Sequence, residues 1–442
     1  MINLIFIPLC ETNGSCGFHK LLFLVILVLP FQKFPTIFFE NPEESKEVII
    51  LKLFTYLDEF AFIVSIVLVL WFILLKSAHY SLNLKDIPFT KYLLSLVAVS
   101  GISIIVNHVP ILQGFFGIYD IVKNIIVIYV FTALYWSRDE FLAMIGWVKK
   151  IVIFLAIVGI IAEILALYGG IGVGYLVGSE ENNRLGFYRV QSLTGYGSTN
   201  YLGMYALLGL FLIYTTTKSG IFKNLSLLAT LCLIFLTFSR QAWIGLLVMS
   251  VLIKKRLLVP GLLIILGIGA MSLFGSDDYD PEVYYRTFTY CESFRLLREN
   301  PIFGAGVGMF GGLASTIFES PRYDDWSEYY RTLVYHMGSI DTFWPVIWGE
   351  LGILGVIAFS LLWLSLFKRL KYMSNRFKTM RDVQMYTIGR ILANYVVALV
   401  IMCFGTGLNC AFVVWTYFGL VGIYFSLYNQ AQFQLKGKVR FQ

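Results

Sequence analysis

Charge is scarce in this chain of 442 residues: Asp, Glu, Lys and Arg make up 14% of it, against 58% apolar residues and a mean hydropathy of +0.75. With so little polar side chain to cover a wet surface, a soluble enzyme or binding module is excluded as its class. Cysteine is scarce as well. Cys10, Cys16, Cys232, Cys291, Cys403 and Cys410 are scattered, with neither the framework of a disulfide scaffold nor the spacing of metal ligands. No metal and no cofactor are expected. The chain also lacks internal repeats and low-complexity tracts, so a single integral membrane domain, 1–442, is the economical organisation.

What it does have is a series of apolar runs near the length that a hydrocarbon core of roughly 30 Å demands of a helix, about 20 residues. Twelve are read, at 20–38, 57–75, 91–112, 115–136, 149–168, 200–217, 221–239, 240–253, 257–274, 342–367, 387–408 and 411–429. The expected fold class is an all-α polytopic membrane protein. Leu21 to Phe39 lacks a small-residue cleavage site and is followed by the acidic stretch Glu40 to Glu47, so it reads as a retained first helix, not a signal peptide.

Positive charge falls between these runs in six clusters: Lys76 to Lys91, Arg138 to Lys150, Lys218 to Lys223, Lys254 to Arg256, Lys368 to Arg390 and Lys436 to Arg440. They occupy every second loop and hold most of the 34 Lys and Arg residues. Cationic loops mark the cytoplasmic side, which puts both termini there. The net charge of +7 is then a topology signal, and no nucleic-acid partner is expected.

The opposite face receives two segments too long to be turns, 169–199 and 275–341, the second with a helical stretch from Val283 to Glu299. Ionisable residues inside the spans lean toward the same face: Asp58, Glu59, Asp120, Lys123, Glu163, Glu350 and Arg240. Such groups cost several kcal/mol in hydrocarbon and persist where they pair or line a wet cavity. A polar cavity opening outward follows. Asp120 and Lys123, at i and i+3, can equally neutralise one another, and Glu163 and Glu350 can bond neighbouring helices.

Several motifs lie on that face. They are Arg184-Leu-Gly-Phe-Tyr-Arg189 and Thr194-Gly-Tyr-Gly-Ser-Thr-Asn200, then Phe238-Ser-Arg240-Gln-Ala-Trp between spans seven and eight. In the long loop Arg286 leads the helix, and Asn300-Pro-Ile-Phe-Gly304-Ala-Gly-Val-Gly308 follows it; Ser339-Ile-Asp341 and Glu350-Leu-Gly-Ile-Leu-Gly355 come last. No strand precedes the glycine run, so a dinucleotide loop is not the reading; the glycines permit a tight reversal.

In this order, over roughly residues 180 to 365, these segments resemble the O-antigen ligase and polymerase superfamily. The resemblance rests most on the Asn-Pro-x-x-Gly-x-Gly run after an Arg-led helix and on the Glu-Leu-Gly-x-x-Gly start of the next span. It implies a GT-C type membrane fold acting at the outer face of the bacterial cytoplasmic membrane. Glycan would pass from an undecaprenyl-pyrophosphate carrier to an acceptor, without nucleotide sugar or obligatory metal.

Ligases of the family carry a His nine residues before the Glu, where this chain has Asp341, so it is more like the Wzy-type polymerases that join lipid-linked repeat units. A chain-length regulator is a further candidate partner. The O-antigen ligase, which delivers glycan to lipid A-core, is the alternative within the family, and a secondary transporter of an anion is the alternative outside it.

Arginine suits a pyrophosphate because its planar fork and fixed charge allow bidentate bonds. Arg184, Arg189, Arg240 and Arg286 are the candidates. Arg295 stands nine residues after Arg286, on the opposite helix face, with Glu292 and Glu299 as ready partners, which suits a structural role. Asn200, Arg295 and Glu350 complete the cavity set. For the base, Asp341 is favoured over His336, although Asp341 could instead N-cap span ten and His336 could be an ordinary loop residue.

Overall fold

The computed structural model describes residues 16–32, 56–74, 87, 89–169, 187–194, 199–253, 285–340, 342–408 and 410–439. Among these the regular structure is helical, without strands. The first eight helices are α1 (Cys16–Val28), α2 (Leu57–Leu74), α3 (Thr90–Val106), α4 (Ile111–Ala133), α5 (Arg138–Gly169), α6 (Thr199–Thr216), α7 (Ile221–Leu236) and α8 (Arg240–Ile253). They are followed by α9 (Tyr285–Glu299), α10 (Leu313–Ile317), α11 (Glu328–Met337), α12 (Phe343–Thr379), α13 (Val383–Met402) and α14 (Ala411–Val439). Apolar segments take this form because nothing in hydrocarbon can bond an exposed amide or carbonyl, so the segment must satisfy its own backbone.

Five described helices are long and apolar enough to cross a bilayer: α4, α12, α13, Arg138–Tyr168 within α5 and Ala411–Gln432 within α14. Others are apolar but shorter, including α3, α7 and α8. Along α7, Ile221, Phe222, Leu225 and Leu228 are all more than half exposed. An apolar stripe of that kind belongs against lipid, not water, and the protein is membrane-embedded. The expected run 257–274 lies outside the described residues.

Helix ends differ from the sequence expectation where charge begins. Helix α5 already starts at Arg138, well before residue 149, and α12 continues past residue 367 to Thr379. Backbone bonding runs on through charged residues at which hydropathy stops. Within 275–340 the chain also forms α10 and a 3-10 turn at Pro321–Tyr323, both too short to carry a visible period, and α11, whose Tyr330, Leu333, Val334 and Met337 do fall on one helix face.

Helix α14 is the central post, with 94% of its apolar window buried against 39% for α5. It packs on α4, where a Cβ at Gly422 would lie 2.6 Å from Phe131 Cβ, so only glycine allows this approach. Helix α12 lies against α13, α3 and α9, and α8 against α13 and α6.

The basic clusters converge. Arg138 pairs with Asp382 at 3.1 Å, Lys149 donates to Thr216 at 3.0 Å, and Arg390 donates to the Leu252 carbonyl at 3.3 Å. The clusters that begin at Arg138, Lys218 and Lys368 therefore share one end of the bundle, with the end of α8. The glycine run and the start of α12 belong to the other.

Candidate functional site

Helix α12 is broken at Gly352, whose φ of +62° and ψ of −160° are non-helical. In an unbroken helix the Ile353 and Leu354 amides would bond the carbonyls of Gly349 and Glu350, four residues back. Here all four groups turn to the glycine run instead. Ile353 and Leu354 donate to the Pro301 and Ile302 carbonyls at 2.9 and 3.3 Å, while Gly349 and Glu350 accept from the Ala305 and Gly306 amides at 2.7 and 3.2 Å. The break and the loop repair one another.

Two glycines make this possible. A Cβ on Gly352 would stand 2.6 Å from the Gly304 nitrogen, and one on Gly304 would stand 2.5 Å from the Leu351 nitrogen, backbone against backbone. Polar side chains from neighbouring spans lock the loop further. Ser103 of α3 donates to the Phe303 carbonyl at 2.8 Å, and Gln113 of α4 donates to the Gly308 carbonyl at 2.8 Å. Glu350, 1% exposed, accepts from the Phe310 amide at 2.9 Å. Its carboxylate serves first to pin the loop.

A charged network adjoins Glu350. Lys123 lies 3.3 Å from Asp120 and 2.8 Å from Glu59, Tyr119 donates to Glu59, and Gln32 donates to Asp58 at 2.8 Å. The pairing of Asp120 with Lys123 is the one their spacing allows, and α2 adds Glu59 to it. A Cβ on Gly312 would sit 3.7 Å from Asp120 Oδ2 and 3.8 Å from Glu350 Oε1, so the two carboxylates flank the end of the glycine run.

The arginines occupy a different margin. Glu163 accepts from the Tyr188 amide at 2.8 Å, Val190 donates to the Leu236 carbonyl at 2.9 Å and Ser192 to the Leu155 carbonyl at 2.9 Å, which ties residues 188–192 to α5 and α7. Arg189, thus held, donates to Thr199 at 2.8 Å and reaches Asn200 at 3.5 Å. Phe238, at a φ of +46° that non-glycine residues rarely adopt, turns the chain into α8, whose first residue is Arg240.

Arg286 sits in the first turn of α9, half-buried like Arg240. One turn further on, Tyr290 donates to the Phe404 carbonyl, and Gln241 of α8 donates to the adjacent Gly405 carbonyl at 2.7 Å. The helix starts that carry Arg240 and Arg286 are therefore both tied to the turn after α13. Arg295 is bound to Glu292 at 2.8 Å and Glu299 at 2.7 Å, and these bonds hold its guanidinium charge firmly on.

The cap over the broken helix is aromatic. Phe288 stacks on Tyr330 at 4.0 Å and meets Trp326 edge-on at 4.8 Å, joining α9 to α11 and to the segment before it. Tyr323 binds the Gly311 amide at 2.7 Å and Ser315 at 2.6 Å; burial pushes its phenol above the ordinary value, so it stays protonated. A groove of about 550 Å³ runs beside this cap, lined by Phe288, Glu292, Arg295, Asp325, Trp326 and Ser327.

His336 is exposed in the last turn of α11. Asp341 and Arg184 lie outside the described residues. The N-cap of α12 is Thr342, on extended backbone at φ −126° and ψ 128°. Thr342 makes no side-chain cap bond.

Ser103, Gln113, Tyr119 and Tyr290 do not stand out in the sequence. Their only signal is a polar group inside or beside an apolar run, and their partners lie from 60 to about 200 residues away along the chain. No protein-family model matches the chain, and no characterised protein matches it in sequence.

Proposed function

We propose that the chain is a membrane glycosyltransferase of GT-C type that joins lipid-pyrophosphate-linked oligosaccharide repeat units at the outer face of the bacterial cytoplasmic membrane, as Wzy-type O-antigen polymerases do. One observation carries the reading. The two segments on which the resemblance chiefly rests, Asn300 to Gly308 and Glu350 to Gly355, are a single structural unit joined by exchanged backbone bonds.

In this reaction the acceptor sugar hydroxyl attacks the anomeric carbon of the donor, its proton passes to a base, and the carrier diphosphate leaves. Arg286 and Arg240, with Arg189 and Arg184, neutralise that leaving group, and fixed cations need no reorganisation as its charge develops. Asp341 is the favoured base and His336 its rival; such help is worth about 10² to 10⁴ in rate. The groove beside Phe288 and Trp326 offers aromatic and carboxylate groups to an acceptor glycan. The test is reconstitution of the purified protein with lipid-linked oligosaccharide. Longer lipid-linked glycan and released carrier diphosphate support the polymerase, whereas product only on added lipid A-core makes it the ligase.

A secondary transporter has one observation in its favour, the broken helix beside buried carboxylates. In transporters of that design the backbone groups freed at the break hold the solute or ion. Here those of Gly349, Glu350, Ile353 and Leu354 are spent on the 301–306 loop. Solute uptake into liposomes without glycan product would reverse the choice.

A further inference from the structure

At the end of the bundle where the basic clusters meet, α12 and the start of α3 enclose a groove of about 360 Å³ lined by Tyr92, Leu361, Leu364, Ser365, Lys368, Arg369 and Tyr372. The α12 members fall at i, i+3, i+4, i+7, i+8 and i+11, which is one helix face. Their order along that face is graded. Leu361 and Leu364, 37% and 45% exposed, come first, then the Ser365 hydroxyl, then the two cations and Tyr372. Leu364 stands about one turn, roughly 6 Å, from Lys368, and Leu361 about two turns, roughly 10 Å.

The cationic part is held in place. Arg369 lies 5.7 Å from the Tyr372 ring and 5.3 Å from the Tyr428 ring of α14, and the Lys91 ammonium covers Tyr92 at 4.7 Å. A guanidinium fixed over aromatic faces keeps its fork oriented and loses little freedom on binding an oxyanion. The gradient runs from chain to head group, as in an amphiphile with an acidic head. A soluble anion would use the cations alone and leave the leucines bare.

We propose that this groove binds the phosphate of an anionic phospholipid, its head group between Lys368, Arg369 and Ser365 and its acyl chain along Leu361 and Leu364. The site lies at the end of α12 opposite the glycine run and is independent of the proposed chemistry. A lipid seated there bridges α3 and α12 where both emerge from the apolar layer.

Native mass spectrometry of the intact purified protein, titrated with phosphatidylglycerol, phosphatidylcholine or inorganic phosphate, tests this. The wild type should retain phosphatidylglycerol in preference to phosphatidylcholine. The double variant Lys368→Gln/Arg369→Gln should lose that preference, weakening retention about 30-fold for two head-group cations. The control Lys150→Gln/Lys218→Gln removes equal charge from the same end of the bundle, but from α5 and the α6–α7 turn, which do not line the groove, and should leave retention within about twofold of wild type. Because Arg369 also packs on tyrosines, Lys368→Gln alone is read alongside. It should weaken retention about fivefold at an unchanged melting temperature. Equal losses in both double variants, no loss in Lys368→Gln, or no preference between the two lipids would overturn the proposal. Displacement of bound lipid by millimolar inorganic phosphate would make it a soluble-phosphate site and overturn the acyl-chain half of the claim.

Discussion

The glycine run at the broken α12 and the arginine margin are built by opposite means. The first is held by backbone groups that replace one another's helical bonds, so its geometry depends on glycines whose missing Cβ atoms let two chains touch. The second is held by side chains, Arg189 on Thr199, Gln241 on Gly405 and Tyr290 on Phe404, each replaceable without dismantling a helix. A substitution in the first region should therefore act on folding, and one in the second on whatever the charges bind. Glu350 belongs with the first, although its charge suggested the second.

Gly352→Ala should have the largest effect. The residue sits at φ +62° and ψ −160°, a region essentially closed to residues with a Cβ, worth about 1–3 kcal/mol in strain alone. The added carbon would also meet the Gly304 nitrogen at 2.6 Å. Membrane yield and melting temperature should fall sharply, and a loop that moves apart loses the four exchanged bonds together. A stable Gly352→Ala protein with wild-type melting would show that the break tolerates another geometry, and the contrast between the two regions would be gone.

Much of this scaffold was legible in the sequence and some was not. Apolar runs located the helices because burial in lipid is a property of a whole segment, and the i, i+3 and i, i+4 partners of Arg295 and Asp120 were local enough to read. The long α12 was placed, but not its break, because Gly352 is one glycine among 38 and only the facing loop makes it special. Glu350 was recognised as a buried carboxylate, but its partner is a backbone amide 40 residues earlier, which carries no sequence signature. The aromatic cap escaped for the same reason. Phe288, Trp326 and Tyr330 are ordinary loop aromatics until α9 and α11 bring them together.

On the proposed chemistry the next effects should be catalytic. Asp341→Asn keeps size but cannot take a proton, so polymer formation should fall by about 10² to 10⁴ while His336→Ala leaves long chains intact. Since Asn keeps a side-chain carbonyl oxygen that can cap the helix, the Asn variant should also leave stability unchanged. Polymer length on gels, in a cell lacking its own copy, together with melting of the purified variants, reads both. Loss in His336→Ala alone would move the base to the imidazole.

Arg286→Lys and Arg240→Lys keep the charge and lose the planar fork, and each should lower turnover about tenfold to a hundredfold at normal yield and melting. A fall in melting with turnover of the remaining folded protein intact would place these arginines in the scaffold and erase the division between the two regions.

The smallest effect is expected at Arg295, and it is the most discriminating, because Arg295 shares α9 with Arg286 but points the other way. Its side chain is 41% exposed and its guanidinium already bonded to Glu292 and Glu299. Exposed pairs of this kind contribute about 0.3–0.5 kcal/mol each. Arg295→Gln should therefore shift melting by a degree or two, roughly what that energy predicts for a domain of this size, and leave turnover within about twofold. The acceptor groove gives the only route to a larger loss, since Arg295 lines it beside Phe288 and Trp326. If the rate at limiting acceptor drops while melting holds, the defect should appear as a raised KM for the acceptor with kcat preserved, because a groove residue removes binding that is equal in ground and transition states. A fall in kcat would instead place Arg295 with the diphosphate, which the opposite faces of α9 argue against.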